Sequence, residues 1–277
     1  MRIDLHAHTT ISDGTDTPTQ LVRKAKAVGV DVLGITDHDT TAGWEEASQV
    51  AVAEGVSLVR GAEISCSIDG RTVHMLAYLF RPEPRLTRHF EDATAVRRER
   101  ARQIVDNLAA DYPITWENVL AIAGESQVVG RPHIADALIA AGVFHSREEV
   151  FATVLHPKHK YYVHYQAPDP REVIADIRAA GGVPVWAHPR ATKRGKVVPT
   201  AAFSGMVTAG LFGVEVWHRD HSPEMVAAIS AIADHYGLEK LGSSDYHGTG
   251  KPNQLGENWT RAGVLEKILQ QGALPRI

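Results

Sequence analysis

Short apolar runs and amphipathic stretches alternate along the first 80 residues of the chain. Four β-rich runs are predicted as strands: the segment that carries His6 and His8, then residues 30–36, 56–60 and 71–79. Two stretches, 18–28 and 42–54, have the apolar spacing of helices, and a glycine follows each of them. The turn at 67–70 suits a hairpin better than a crossover.

The same alternation returns after residue 168. The strands predicted here are residues 183–187, 213–217 and 239–243, and the helices are residues 170–180, 223–236 and 260–271. Near-continuous apolar strands with helices between them are typical of a parallel sheet covered on both faces. The whole pattern therefore predicts seven strands in an α/β barrel or an open α/β sheet.

The middle of the chain does not continue this alternation of strands and helices, because it shows helical patterns and no convincing buried strand. The first pattern is long and carries Arg97, Arg98, Arg100 and Arg102; the others are residues 115–124, 132–142 and a capping box at 146–149. Most of these arginines are expected on a solvated face. We predict a discontinuous barrel domain of residues 1–81 and 168–277, and a small helical insertion of residues 82–167.

Histidine, aspartate and glutamate residues gather at the carboxyl ends of the predicted strands. They are His6, His8, Asp13, His38, Glu63, His74, His188, Asp245 and His247. Because side chains alternate along a strand, His6 and His8 point to the same side. A single histidine at a strand end is more often an ordinary surface residue, but structural histidines would not repeat this position so regularly. The pattern predicts a site for several metal ions.

Composition describes an ordinary globular protein with an unusual number of histidines, 15 in 277 residues. The formal net charge of -4 gives no overall attraction to nucleic acid or to an anionic membrane. No apolar run approaches the ~20 residues of a membrane span. Cys66 is the single cysteine, so it forms no internal disulfide and is expected to be buried filler. These features predict a cytoplasmic protein.

The ordered motifs resemble the PHP family, the polymerase and histidinol phosphatase superfamily of metal-dependent phosphoesterases. The matching pieces are Asp4-Leu5-His6-Ala7-His8, Thr36-Asp37-His38, Gly61-Ala62-Glu63, His74, Ala187-His188-Pro189 and Ser244-Asp245-Tyr246-His247. The resemblance implies a distorted (βα)7 barrel. The insertion, with Gly130-Arg131-Pro132-His133, is similar to the branch that hydrolyses nucleoside 3′,5′-bisphosphates and short RNA ends, rather than to histidinol phosphatases.

The resemblance also implies how the ligands divide among two to three divalent metal ions. His6, His8, Glu63 and Asp245 would hold one ion, Asp13, His38 and His247 a second, and Glu63, His74 and His188 a third. Mn is expected, with Fe or Zn as alternatives, whereas Mg or Ca alone does not suit so many imidazoles. Asp37 is assigned to orient an imidazole ligand, with a simple turn residue as the alternative.

The expected chemistry is attack on phosphorus by a hydroxide that forms from a water shared between metal ions. The residues that act through it are Asp13, His38, Glu63, Asp245 and His247. Metal ions and arginines can neutralise the phosphate, so a protein general acid is not required. His218 and His221 are the candidates for such an acid, and the alternative is a loop that lines the cleft without chemistry.

Four residues are predicted to contact the substrate: Arg131, His133, Tyr162 and Arg190. Arg131 and His133 begin a helix, where free N–H groups and a guanidinium can receive a phosphate; an ordinary capped helix is the alternative. Tyr162 ends a basic and aromatic run that could stack a base or serve as a linker. Arg190 follows the fifth strand, next to a basic loop at 191–198.

The leading hypothesis is a phosphomonoesterase that removes the 3′-phosphate from nucleoside 3′,5′-bisphosphates, with 5′-to-3′ trimming of short oligonucleotides as a further activity. A phosphatase of another small metabolite is the second hypothesis. The third is a PHP module that only binds metal or a partner, and the complete ligand set argues against it. The expected partner is a nucleotide or a short single strand, with no duplex, no membrane and no obligatory protein partner.

Overall fold

The computed structural model describes residues 1–124, 126, 128–164, 167–192 and 197–277. Its strands are β1 (Ile3–Asp4), β2 (Val32–Ile35), β3 (Ser57–Ile68), β4 (Arg71–Tyr78), β5 (Val183–Trp186), β6 (Gly213–Trp217) and β7 (Glu239–Gly242). The α-helices among these residues are α1 (Pro18–Ala27), α2 (Trp44–Glu54), α3 (Pro84–Leu108), α4 (Trp116–Ala123), α5 (Arg131–Ala140), α6 (Arg147–Ala152), α7 (Pro170–Ala179), α8 (Ala202–Thr208), α9 (Pro223–Tyr236) and α10 (Ala262–Gln271).

The seven strands form one sheet in chain order, from β1 to β7. The sheet is parallel except at β4, which is antiparallel to both β3 and β5. The reason is the turn at 69–70, where Asp69 and Gly70 have φ of 49° and 69°, as a tight hairpin requires. The hairpin prediction is therefore confirmed. It also lengthens β3, which runs eight residues beyond the predicted end at Arg60.

The two ends of the sheet meet beyond β1 and β7, which nearly closes a barrel. His8 N donates to Tyr246 O at 2.8 Å, and Tyr246 N donates to His6 O at 3.4 Å. Buried Asp4 strengthens this junction, because its carboxylate accepts hydrogen bonds from Ser244 N at 3.0 Å and Gly256 N at 2.8 Å. The predicted seven-stranded barrel is confirmed.

Helices cover the barrel as their apolar spacing predicts, with one addition. Thr17 and Asp169 cap α1 and α7, and Pro18 and Pro170 begin them, as the sequence indicates. The sequence pattern missed α8, a helix of only seven residues. None of the helices in the described parts of the chain has the length and hydropathy that a membrane crossing needs.

The stretch between β4 and α7 contains α3 to α6, which share a hydrophobic cluster of their own that includes Ile104, Leu108, Ile134 and Leu138. Polar contacts attach it to the barrel near the loop after β1. Ser126 Oγ donates to Ser12 O at 2.7 Å, and Arg147 Nη1 donates to Asp13 O at 3.4 Å. The division into two domains stays a prediction, but these contacts place the helices beside the strand ends that carry the histidines.

Candidate metal centre

Four side-chain atoms converge where the chain leaves β1 and β7. His6 Nε2 and His8 Nε2 lie 3.1 Å apart, and Glu63 Oε2 is 3.2 Å and 3.0 Å from them. Asp245 Oδ1 is 3.3 Å from His6 Nε2 and 3.4 Å from His8 Nε2. Ligand atoms about 2.0–2.2 Å from one ion are separated by about 2.8–3.6 Å, depending on whether the angles are octahedral or tetrahedral. The spacing of this first group therefore fits one metal ion.

A second group forms around the carboxylate of Asp13 in the loop after β1. Asp13 Oδ1 is 3.2 Å from His247 Nε2 and 3.7 Å from His8 Nδ1, while Asp13 Oδ2 is 3.9 Å from His38 Nε2. The rings of His8 and His247 have centroids 4.0 Å apart. These four residues can converge on one ion. His8 thus faces two groups, although the sequence assigned it to one.

The third group lies on the other side of Glu63. Glu63 Oε1 is 2.7 Å from His74 Nδ1 and 3.0 Å from His188 Nε2, while Glu63 Oε2 is 3.3 Å from His38 Nδ1. His74 is in the first half of β4 rather than at its carboxyl end, because β4 is antiparallel and its first half lies beside the far half of β3. Glu63 is likewise inside β3. The nine predicted ligands thus lie in three adjoining groups, which share His8, His38 and Glu63.

The burial of these groups favours a cation at the centre. Glu63 Oε2 is fully buried beside three imidazoles, yet it accepts no hydrogen bond from any described residue. His247 Nε2 is likewise buried without a hydrogen-bond partner among the described residues. Burial opposes the charge of His8, but the nearby carboxylates of Asp245 and Glu63 raise its pKa to about 9. Burial and the charge of His8 lower the pKa of His247 to about 4, so His247 is neutral near pH 7. Neutral imidazole is the form that binds metal.

Glu215 of β6 contacts two residues of the centre, and no sequence motif identifies it. Its Oε1 accepts a hydrogen bond from His6 Nδ1 at 2.8 Å, and its Oε2 accepts one from His188 N at 2.8 Å. Burial opposes the ionisation of Glu215, but the charge of His6 holds its pKa below the usual value. The available signal was a single acidic residue in an otherwise apolar strand.

Asp245 has further neighbours on its outer oxygen. Its Oδ2 is 3.0 Å from Lys251 Nζ and 3.5 Å from His218 Nε2. Of the two candidate acids, His218 therefore borders the first group. His221 is held by the backbone instead, since its Nδ1 bonds to Val216 O at 2.9 Å and its Nε2 accepts from Arg190 N at 3.4 Å.

No hydrogen bond among the described residues joins Asp37 directly to an imidazole, so its assigned role in orienting one stays a prediction. It accepts hydrogen bonds from Thr9 N at 2.8 Å, Thr9 Oγ1 at 2.7 Å and Ser12 Oγ at 2.6 Å. Its carboxylate therefore shapes the loop that presents Asp13. Asp37 follows β2, and its hydrogen-bond donors are the backbone and hydroxyl groups of the loop after β1.

The predicted substrate residues differ in the residues that they contact. His133 is buried, and its ring bonds to Gly130 N at 3.1 Å and to the backbone of Ser12, next to Asp13. Arg131 Cζ lies 5.6 Å from the centre of the Tyr162 ring. Arg190 Nη2 donates to Thr200 Oγ1 at 2.7 Å. Residues 193–196 of the predicted basic loop lie outside the described residues.

Comparisons with known proteins agree with this geometry. Residues 4–138 match the model of the PHP domain. The chain is 32% identical over 251 residues to a 3′,5′-nucleoside bisphosphate phosphatase of Chromobacterium violaceum, covering 90% of this chain and 88% of the relative. It is 33% identical over 261 residues to a 5′-3′ exoribonuclease of Haemophilus influenzae, covering 93% and 94%. A crystal structure of a predicted metal-dependent phosphoesterase from Bifidobacterium adolescentis superimposes with a TM-score of 0.94 at 42% identity, covering 98% and 96%.

Proposed function

The chain belongs to the PHP domain family, and on that premise we propose that it removes the 3′-phosphate from nucleoside 3′,5′-bisphosphates. The enzyme is a hydrolase of phosphoester bonds. The observation that carries the proposal is Glu63, a fully buried carboxylate between His6, His8, His38, His74 and His188. A site of this composition suits a phosphate dianion only when cations neutralise it.

We propose that the three groups hold two to three divalent ions, with Mn preferred and Fe or Zn as alternatives. The ligands would be His6, His8, Asp13, His38, Glu63, His74, His188, Asp245 and His247. Divalent ions at such a site lower the pKa of bound water and neutralise phosphate oxygens. Glu63 and His8 each contact two groups, so we expect them to fix the distance between neighbouring ions.

The other residues bind and orient the ester. His133 lies beside Asp13 at the first turn of α5, so a phosphate between the barrel and this helix can reach both. His218 can hold a proton at Nε2, close to Asp245 and to the leaving oxygen of an ester bound there. His221 cannot do so without breaking its bonds to the backbone. We therefore assign the candidate acid role to His218 alone.

The test is release of inorganic phosphate from adenosine 3′,5′-bisphosphate by the Mn-loaded enzyme, with chromatography to identify adenosine 5′-monophosphate as the product. Glu63→Gln is expected to abolish release, which excludes a contaminating phosphatase. Release from generic phosphate esters alone would indicate another metabolite as substrate. No release from any ester would leave a binding module and refute the proposal.

Trimming of short RNA is tested with the same preparation on oligonucleotides that carry a 5′-phosphate. The relative from Haemophilus influenzae supports including this substrate. A mononucleotide or a short single strand is the expected substrate, because a net charge of -4 gives no overall attraction to a duplex. A cytoplasmic location and the lack of an obligatory protein partner remain part of the proposal.

A further inference from the structure

Tyr246 lies between two predicted metal ligands, Asp245 and His247, in the segment that follows β7. Its backbone belongs to the junction that nearly closes the barrel, because its O accepts from His8 N at 2.8 Å and its N donates to His6 O at 3.4 Å. A shift of Tyr246 therefore moves His247, a ligand of the second group. Tyr246 is only 9% exposed, so its hydroxyl needs a partner inside the protein.

The hydroxyl of Tyr246 meets the carboxylate of Asp16, in the loop after β1. Asp16 Oδ2 accepts a hydrogen bond from Tyr246 Oη at 2.8 Å, and both carboxylate oxygens accept from Lys24 Nζ of α1, at 2.7 Å and 2.8 Å. Lys24 Nζ also lies 3.4 Å from Tyr246 Oη. Asp16 is only 6% exposed, and a buried carboxylate is stable where a cation and hydrogen-bond donors surround it. The three side chains therefore form one closed network.

The loop after β1 also carries Asp13, the carboxylate of the second group. Asp16 O accepts from Thr10 N at 2.9 Å, which closes the loop on itself around Asp13. Thr15 N donates to His247 O at 3.2 Å. The Thr15 backbone and the Asp16 side chain thus make two separate contacts with the segment after β7. Between these contacts and the barrel, Asp13 Oδ1 lies 3.2 Å from His247 Nε2.

We propose that Asp16 and Tyr246, with Lys24 balancing the buried carboxylate, form a positioning network for the second group. The network holds Asp13 and His247 at the spacing at which both can bind one ion. The inference rests on the metal binding that is part of the proposed function, and it does not depend on which ester is cut. Ligands on an unfixed loop lose conformational freedom when an ion binds, whereas ligands already held in place lose less. The network therefore sets the affinity of one ion without contacting that ion.

The experiment is a calorimetric titration of the metal-free protein with Mn²⁺, with elemental analysis of the bound ions. Tyr246→Phe removes one oxygen atom and keeps the buried ring. It should weaken one Mn²⁺ binding step about 3- to 10-fold, the worth of one hydrogen bond, and this should be the step that Asp13→Ala abolishes. Asp16→Ala should weaken the same step at least as far. The double variant should lose little more than Asp16→Ala alone, because the two side chains share one contact.

Tyr161→Phe is the matched control for metal binding. Tyr161 Oη donates to Asp111 Oδ2, and that oxygen also accepts from Lys160 Nζ at 2.7 Å, so the insertion contains the same three kinds of side chain. Neither Tyr161 nor Asp111 adjoins a predicted ligand in the sequence. The control should therefore bind every Mn²⁺ ion as the wild type does. A merely structural role of Tyr246 would lower the melting temperature without selecting one binding step.

Activity on adenosine 3′,5′-bisphosphate gives a second readout, because excess metal can refill a weakened site. Tyr246→Phe should show a lower kcat at limiting Mn²⁺, an unchanged KM, and the wild-type kcat in excess Mn²⁺. Selective weakening of the one binding step without phosphate release from any ester would refute the proposed function and leave the network standing. Unchanged Mn²⁺ binding in Tyr246→Phe, equal weakening of all steps, a kcat that excess Mn²⁺ does not restore, or no Mn²⁺ binding by the wild type would overturn the inference.

Discussion

Glu215→Gln tests how the barrel assembles its metal centre. The two carboxylate oxygens of Glu215 accept from His6 Nδ1 and from His188 N, each at 2.8 Å. Both donors need an acceptor, and a glutamine of the same shape offers one acceptor and one N–H₂ donor. The variant therefore loses one hydrogen bond and places a donor against a donor. Either His6 changes its tautomer or the backbone at His188 moves.

The expected loss follows from the burial of this contact. Glu215 and His6 are fully buried, and a hydrogen bond to a charged group there is worth about 1.5–3 kcal/mol. At about 2–4 °C per kcal/mol, the metal-free protein should melt about 3–12 °C lower. Because His6 would no longer present Nε2 reliably, affinity for the ion of the first group should fall about 10- to 100-fold.

The assay combines thermal melting of the metal-free protein with calorimetric titration of Mn²⁺ and elemental analysis of the loaded protein. Glu239→Gln is the matched control, since Glu239 pairs with Lys267 Nζ at 2.6 Å and that lysine is 54% exposed. Exposed pairs contribute little, so this variant should behave as the wild type does. Mn²⁺ affinity within about twofold of wild type, with unchanged melting of Glu215→Gln, would refute the reasoning.

Three further predictions concern the same site. His221→Ala should cost about 1 kcal/mol of stability and leave kcat nearly unchanged because the backbone uses both ring nitrogens, whereas His218→Ala should lower kcat; equal effects on kcat would contradict this distinction. Burial lowers the pKa of His133, so below about pH 6.5 the unfolded chain takes up a proton that the folded chain refuses. As the pH falls from neutral, the free energy of unfolding measured with urea should therefore decrease more for the wild type than for His133→Asn. Parallel pH profiles of the two proteins would contradict this prediction. Removal of metal with EDTA should lower Tm by about 5–11 °C relative to protein at 100 times the Kd for Mn²⁺, and identical melting curves would show that the cluster binds no metal.

The grouping of the candidate metal ligands was predictable because barrel geometry relates position in the sequence to position in space. His6 and His8 lie just beyond β1, on either side of Ala7, which still pairs with Tyr246 as a strand residue would. The carboxyl ends of parallel strands meet at one edge. Those rules place residues from β1, β2, β5 and β7 together without knowledge of any contact. They also account for the confirmed number and order of the strands.

The same rules identified Glu63 and His74 as candidate ligands but placed them at strand ends. Both residues lie inside strands instead. The sequence ended the third strand at Arg60, but β3 continues to Ile68 and pairs with β4 throughout the hairpin. The sequence pattern predicts a turn at residues 67–70 and no strand at residues 61–66. Tertiary pairing with β4 overrides that pattern.

Supporting residues were harder to predict because their partners are far away in sequence. Glu215 contacts His6 across 209 positions, and a buried acid in an apolar strand does not reveal which residue it supports. The arginines of α3 were expected in solvent for a similar reason. Their spacing is that of an exposed helix face, and only the position of the insertion shows that Arg97 meets Asp39.

Backbone conformation at the site also has no clear sequence signal. Among the described residues, five non-glycine residues have positive φ, and three of them lie at the metal centre: Asp39 at 49°, His188 at 33° and Asp245 at 53°. Such conformations cost of order 1–3 kcal/mol each and persist only where surrounding contacts fix them. Glu215 provides one such contact at His188 N, and Ser65 N and Oγ provide two at the Asp39 carboxylate, at 2.8 Å and 2.7 Å. The hydrogen bonds that orient the ligands therefore also hold the strand ends in the turns that aim those ligands inward.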